Sequence, residues 1–148
     1  MSATSAAPAA ARQASTGLVG VLRHGHIERI RSVYYLDELG KKQAAEAAAR
    51  IAQRLDGRPA VVLAAEVCRC TETAKIIAAR LGARMETADY LGASHPCQET
   101  KAGLERDIWR YARSGRAVIV VADRFQVNCL MGVEAAAHCQ VFFSDRPI

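Results

Sequence analysis

The first apolar run of the chain, Leu18 to Leu22, stops abruptly at Arg23-His24-Gly25. That is the pattern of a buried strand that delivers polar side chains at its carboxyl end. From Leu39 onward the period changes. Ala44, Ala47, Ala48, Ile51 and Leu55 recur at helical spacing, with Asp37 placed to cap the helix and Gly57 just past its end. A second apolar run, Ala60 to Ala65, predicts another strand, and Ala74, Ile77, Ala78 and Leu81 predict the helix after it, stopped by Gly82. A weaker strand is expected near Met85 to Ala88, then an irregular stretch through Pro96. Leu104, Ile108 and Tyr111 mark a third helix ended by Gly115. Ala117 to Ala122 is the clearest strand pattern of all. A fourth helix over Gln126 to Ala137 and a last strand near Gln140 to Phe143 complete the series.

Strands alternating with helices in this way predict an α/β fold, a three-layer α/β/α sandwich around a largely parallel sheet. In such folds ligands gather at the carboxyl ends of the strands, so the polar residues after Leu22, Ala65 and Ala122 are expected to be neighbours. The chain has 148 residues, 51% of them hydrophobic and 24% charged, which suits one domain. Residues 1–17, rich in Ala, Ser and Thr, read as a disordered tail, and 18–148 as the domain. Neither a signal peptide nor a stretch long enough to span a bilayer is evident.

A formal charge of +5 favours anionic ligands. No basic arm is present, and aromatics are few, so nucleic acid is not the expected partner. Five cysteines, at 68, 70, 97, 129 and 139, form no Cys-x-x-Cys pair. Their odd number argues against a disulfide framework and suggests a reducing cytoplasm. Cys68 and Cys70 are expected to be incidental thiols rather than half of a metal site.

Arg-His-Gly alone is a weak motif, and taken singly Arg23, His24 and Arg69 are each more simply read as a salt-bridged, a satisfied and a solvated side chain. Their context is more specific. Leu36-x-x-Leu39-Gly40-x-x-Gln43-Ala44 opens the first helix, and Arg69 precedes Thr73-Ala74 directly after the second strand. Together, over Leu18 to Leu130, these resemble the histidine phosphatase (phosphoglycerate mutase-like) superfamily, and in size the small bacterial phosphohistidine phosphatases. Asp37 stands where Thr is usual and Ala65-Glu66 where Ser-Pro is usual.

The resemblance implies that His24 is a nucleophile that becomes phosphorylated. Arg23 and Arg69 would clamp the phosphoryl oxygens, with no metal and no other cofactor. It also implies a phosphorylated small molecule or phosphoprotein as partner. The family's second histidine is replaced by Asp123, whose carboxylate would repel a phosphoryl dianion by several kcal/mol at an effective dielectric of about 20. Asp123 could be neutralised by Arg124 or by the pocket arginines, or it could be protonated and donate a hydrogen bond. His95 or His138 could fill the vacancy, although surface positions are expected for both, and His26 is expected at the rim. The acidic proton donor of larger relatives falls near Ala93. That loss favours a phosphohistidine-type substrate, whose imidazole leaves readily, over a sugar phosphate. The alternative is a catalytically impaired relative that only binds phosphorylated groups.

Overall fold

The computed structural model describes residues 17–134 and 136–145. The predicted tail, 1–17, therefore lies outside the described residues except for Gly17. Five strands form the main sheet in the order β5-β4-β6-β1-β7. They are β1 (Val19–Arg23), β4 (Ala60–Ala64), β5 (Arg84–Thr87), β6 (Ala117–Ala122) and β7 (Val141–Ser144). The helices are α1 (Glu38–Leu55), α2 (Cys68–Leu81), α3 (Cys97–Ala112) and α4 (Arg124–Met131). β1, β4, β5 and β6 run parallel, and only β7 is antiparallel, on the edge beside β1. This is the largely parallel α/β arrangement that the alternating pattern implies.

The central strands are wholly apolar because both faces are covered. Every residue of β4 and β6 is buried, and Val19, Val21 and Leu22 of β1 join the same core. Covering helices contribute small side chains from one stripe each, Ala44, Ala47, Ala48 and Ile51 from α1 and Ala74, Ile77 and Ala78 from α2. Alanines there let helix and sheet approach closely. As expected, Asp37 caps α1, its Oδ1 accepting from the Gly40 amide at 2.8 Å.

Three features depart from the sequence reading. A hairpin, β2 (Ile27–Ile30) and β3 (Val33–Leu36), forms its own two-stranded sheet between β1 and α1. β2 carries Glu28 and Arg29, and no Gly, Pro or Asn marks the turn. Arg31 turns the chain with φ 59°, a conformation its sequence does not announce. The fourth helix stops at Met131 rather than Ala137, because Gly132 takes φ 65° and its amide bonds back to the Asn128 carbonyl.

The third departure is covalent. Cys97 and Cys129 form a disulfide that joins the start of α3 to α4. The expectation of free cysteines is corrected for these two, and the argument for a reducing compartment loses its footing. An odd count excludes a fully paired set, but not one bridge that leaves Cys68, Cys70 and Cys139 free. No helix among the described residues is long and apolar enough to cross a membrane.

Candidate active site

The site is built on a close backbone approach. A methyl group on Gly25 would lie 2.6 Å from the Gly40 carbonyl oxygen, and one on Gly40 would collide with the His26 carbonyl. Only glycine at both positions lets the chain leaving β1 lie against the first turn of α1. The segment is then tied from three sides. Thr73 Oγ1 accepts from the Gly25 amide at 3.1 Å and donates to the Arg69 carbonyl at 2.7 Å. Gln43 Oε1 accepts from the His26 amide at 2.8 Å, and the His24 amide donates to the Ala122 carbonyl at 3.2 Å.

His24 is 3% exposed. Its Nδ1 lies 2.8 Å from the Gly25 carbonyl oxygen, to which it donates in the tautomer that leaves Nε2 free. Nε2 then points to Asp123 Oδ1, 3.4 Å away. A neutral ring can donate to only one of these two oxygens.

Asp123 ends β6 and stands at the N-cap of α4, yet it makes no capping bond. Its carboxylate is instead taken by Arg69, whose Nε and Nη2 donate to Oδ1 and Oδ2 at 2.7 and 2.9 Å. That is the two-pronged geometry in which a guanidinium also grips a phosphate. Burial pushes the Asp123 carboxyl upward, but the bonds from His24 and Arg69 outweigh it and hold the group well below the usual carboxylate range. Asp123 is therefore ionised. Of the two ways out of its charge conflict, neutralisation by a pocket arginine is the one the geometry shows, and the protonated donor is corrected. The same pairing raises the pKa of Arg69.

Arg23 lies on the other flank. Its Nη1 donates to the Ala136 carbonyl at 3.2 Å, while Nε is buried without a partner. Burial, then the neighbouring Arg124, lower its pKa. Arg23, His24, Arg69, Asp123 and Arg124 line one open cavity of about 400 Å³ with Ile27, Tyr34 and Phe125. Three guanidinium groups thus face one carboxylate, leaving a net positive pocket able to hold an anion.

The polar ends of β1, β4 and β6 do meet, as their order requires. The histidines divide differently from expectation. His95 is held by Glu99 and Asp89, and none of the three lines the cavity. His26 is half exposed and bonded to Asp37. His138 is closer to the chemistry than a surface residue, its ring centroid 5.6 Å from His24 and 5.4 Å from His26. Burial, followed by the charge of Arg23, pushes its pKa down to about 4, so it is neutral near pH 7. Tyr34, Phe125 and Ile27 were not singled out from the sequence. Phe125, next to Asp123 and Arg124, carried a signal in its position directly after a strand end, whereas Tyr34 arrives through the unforeseen hairpin.

No curated protein matches the chain in sequence. Among solved structures, it is similar to the protein histidine phosphatase SixA complexed with tungstate, with a TM-score of 0.65 at 18% identity, covering 78% of this chain and 74% of that one. It is also similar to a mycobacterial glucosyl-3-phosphoglycerate phosphatase complexed with VO3 (0.66, 15% identity, 86% and 90%). A third is the ecdysone phosphate phosphatase of Bombyx mori in complex with tungstate (0.69, 11% identity, 86% and 88%). At these identities the likeness is one of fold. The sequence itself matches the model of the histidine phosphatase superfamily (branch 1) over residues 19–93, half of the chain. On that match, which spans Arg23, His24 and Arg69, the chain belongs to the histidine phosphatase superfamily.

Proposed function

We propose that the protein is a phosphatase that passes a phosphoryl group through His24. The observation that carries this reading is the orientation of His24. Its Nδ1 is engaged by the Gly25 carbonyl, and its Nε2 is directed to the pocket where Arg69 and Asp123 meet. Nε2 attacks phosphorus in line, and the bond from phosphorus to the leaving oxygen or nitrogen breaks. The leaving group keeps the electron pair and takes a proton from solvent. Water then attacks the phosphohistidine, the P–N bond returns its pair to Nε2, and inorganic phosphate departs.

In this mechanism the incoming phosphoryl oxygens compete with the Asp123 carboxylate for the Arg69 fork, while Arg23 and Arg124 supply the remaining positive charge. Among the described residues that line the cavity, none is an acid placed to protonate a poor leaving group. The reading therefore favours a phosphohistidine-type substrate, or a small phosphomonoester, free or on a protein. Purified protein is expected to release phosphate from phosphoramidate or a phosphohistidine peptide, with an acid-labile phosphoryl group trapped on the wild type and absent from His24→Ala. Failure to turn over any phosphoramidate or phosphomonoester overturns the proposal.

A second reading rests on the Arg69–Asp123 pair. A carboxylate already seated in the fork is an internal competitor, and a protein so arranged binds phosphorylated groups while turning them over poorly. Restoring a histidine at 123 distinguishes the two readings.

A further inference from the structure

The mouth of the pocket is apolar where its floor is charged. His24 is at the base, 3% exposed, so an in-line displacement from Nε2 sends the leaving group outward, opposite the attacking nitrogen. The walls it meets on that path are Ile27, Tyr34 and Phe125. Phe125 is 62% exposed, the most of any large apolar side chain among the described residues, and Tyr34 is 40% exposed. Both stand beside a charge of the floor. Phe125 follows Arg124 in the first turn of α4, and the Tyr34 ring lies 5.7 Å from the Arg69 guanidinium.

A polyol phosphate needs hydrogen-bonding partners for its hydroxyls at this mouth. Apart from the Tyr34 hydroxyl, the polar groups that line the cavity are His24 and the charged side chains of the floor, of which Arg69 and Asp123 are bonded to each other. A flat apolar body instead gains by covering Tyr34 and Phe125, which are otherwise wetted. Solvent exposure of a phenylalanine and a tyrosine beside a phosphoryl site is thus explained by a ligand.

We propose that Tyr34 and Phe125 are specificity-determining residues that hold a ring-bearing leaving group, an aryl or imidazole body, above the phosphoryl position. The proposal rests on the phosphatase reading for the position of the phosphoryl group. It goes further in naming what the rest of the substrate must be.

Phenylphosphonate and methylphosphonate separate the two levels, since neither can be hydrolysed and only one has a ring. Titration calorimetry at a pH where both are dianions is expected to show phenylphosphonate bound about tenfold more tightly by the wild type. That ratio should collapse toward one in Phe125→Ala and in Tyr34→Ala. It should persist in Trp109→Ala, which removes an exposed aromatic that lies outside this cavity. Equal affinity for the two phosphonates in the wild type, a ratio that survives both substitutions, or no binding of either overturns the ring cradle. Phosphate release from phosphoramidate, a substrate with no ring, reports the phosphatase reading independently. Turnover with a ratio of one removes the cradle and leaves the enzyme, while a ratio of ten without turnover does the reverse.

Discussion

The two halves of the site are held by different means. On the side of β1, α1 and α2, the fixing contacts are made to backbone. Thr73 and Gln43 bond to the amides of Gly25 and His26, Asp37 to that of Gly40, and Gly25 packs on Gly40 with no room for a side chain. On the side of β6 and α4, the strongest fixing contacts are between side chains. Asp123 is gripped by Arg69, Cys97 is bonded to Cys129, and Gln126 reaches across to the Gly92 carbonyl at 3.2 Å. Backbone geometry tolerates few substitutions at its glycines and caps, so that half keeps a recognisable pattern. Side-chain geometry can be built from several residue types, and here it rests on a carboxylate, Asp123, at the position where the family resemblance leads one to expect a second histidine.

The comparison is broken most severely by removing the one side chain that belongs to both halves. Arg69→Ala deletes the proposed phosphoryl ligand and strips the partially buried Asp123 of its bidentate partner. Phosphate release is expected to fall about a thousandfold in kcat/KM. Arg69→Lys should recover only part of it, because an ammonium supplies charge without the fork. Loss of less than tenfold in Arg69→Ala, measured as initial rates, would take Arg69 out of the phosphoryl clamp. Next in size is the covalent tie of the second half. Cys97→Ser opens a 32-residue separation and is expected to cost about 3 kcal/mol of unfolding free energy, read as a lower denaturation midpoint at an unchanged slope. A midpoint that does not move would mean that the tie contributes no stability.

This division also explains what could be read from the sequence. β1, β6 and α1 announce themselves because burial on both faces forces unbroken apolar runs and a single-sided stripe forces a helical period. Arg23-His24-Gly25 and Arg69 could be placed from their positions at strand ends. The hairpin could not, since Glu28, Arg29 and Arg31 mask its alternation and its turn uses a non-glycine residue with positive φ. The pattern makes α4 too long because Val133 and the alanines after Gly132 extend the apolar positions past the glycine that ends the helix. Asp123 stood out as the residue that breaks the family pattern. Which arginine neutralises it, however, depends on a contact across 54 residues, and one choice among several cations is not encoded in local spacing. The same holds for Cys97 and Cys129, whose pairing is a matter of where α3 and α4 pack.

A gentler change converts one half toward the other. Asp123→His removes the competitor from the Arg69 fork and restores a donor to the pocket, so kcat/KM on phosphoramidate is expected to rise about tenfold. A fall instead would mean that Asp123 serves turnover as it stands, and the reading in which its carboxylate impairs catalysis would be discarded.

The smallest effect separates the pocket's histidine from its carboxylate by pH. His138 has a folded pKa of about 4, below its ordinary value of 6.5, through burial and the charge of Arg23, with His24 and His26 adding and Asp37 opposing. The unfolded chain therefore binds a proton between pH 6.5 and about 4 that the folded chain refuses, and stability falls as pH falls through that window. Asp123 acts in a separate range. Its folded pKa is depressed, so its contribution is complete above its unfolded value near 3.8 and is lost only as pH drops further. Because His138 is only partly buried, screening discounts its share, and a decline in Tm of about 2 °C from pH 6.5 to 4.5 is expected. His138→Asn should flatten that decline and leave the steeper loss below pH 4 in place. If the slope between 6.5 and 4.5 is unchanged in His138→Asn, another group carries it, and the loop after α4 is not electrostatically tied to Arg23.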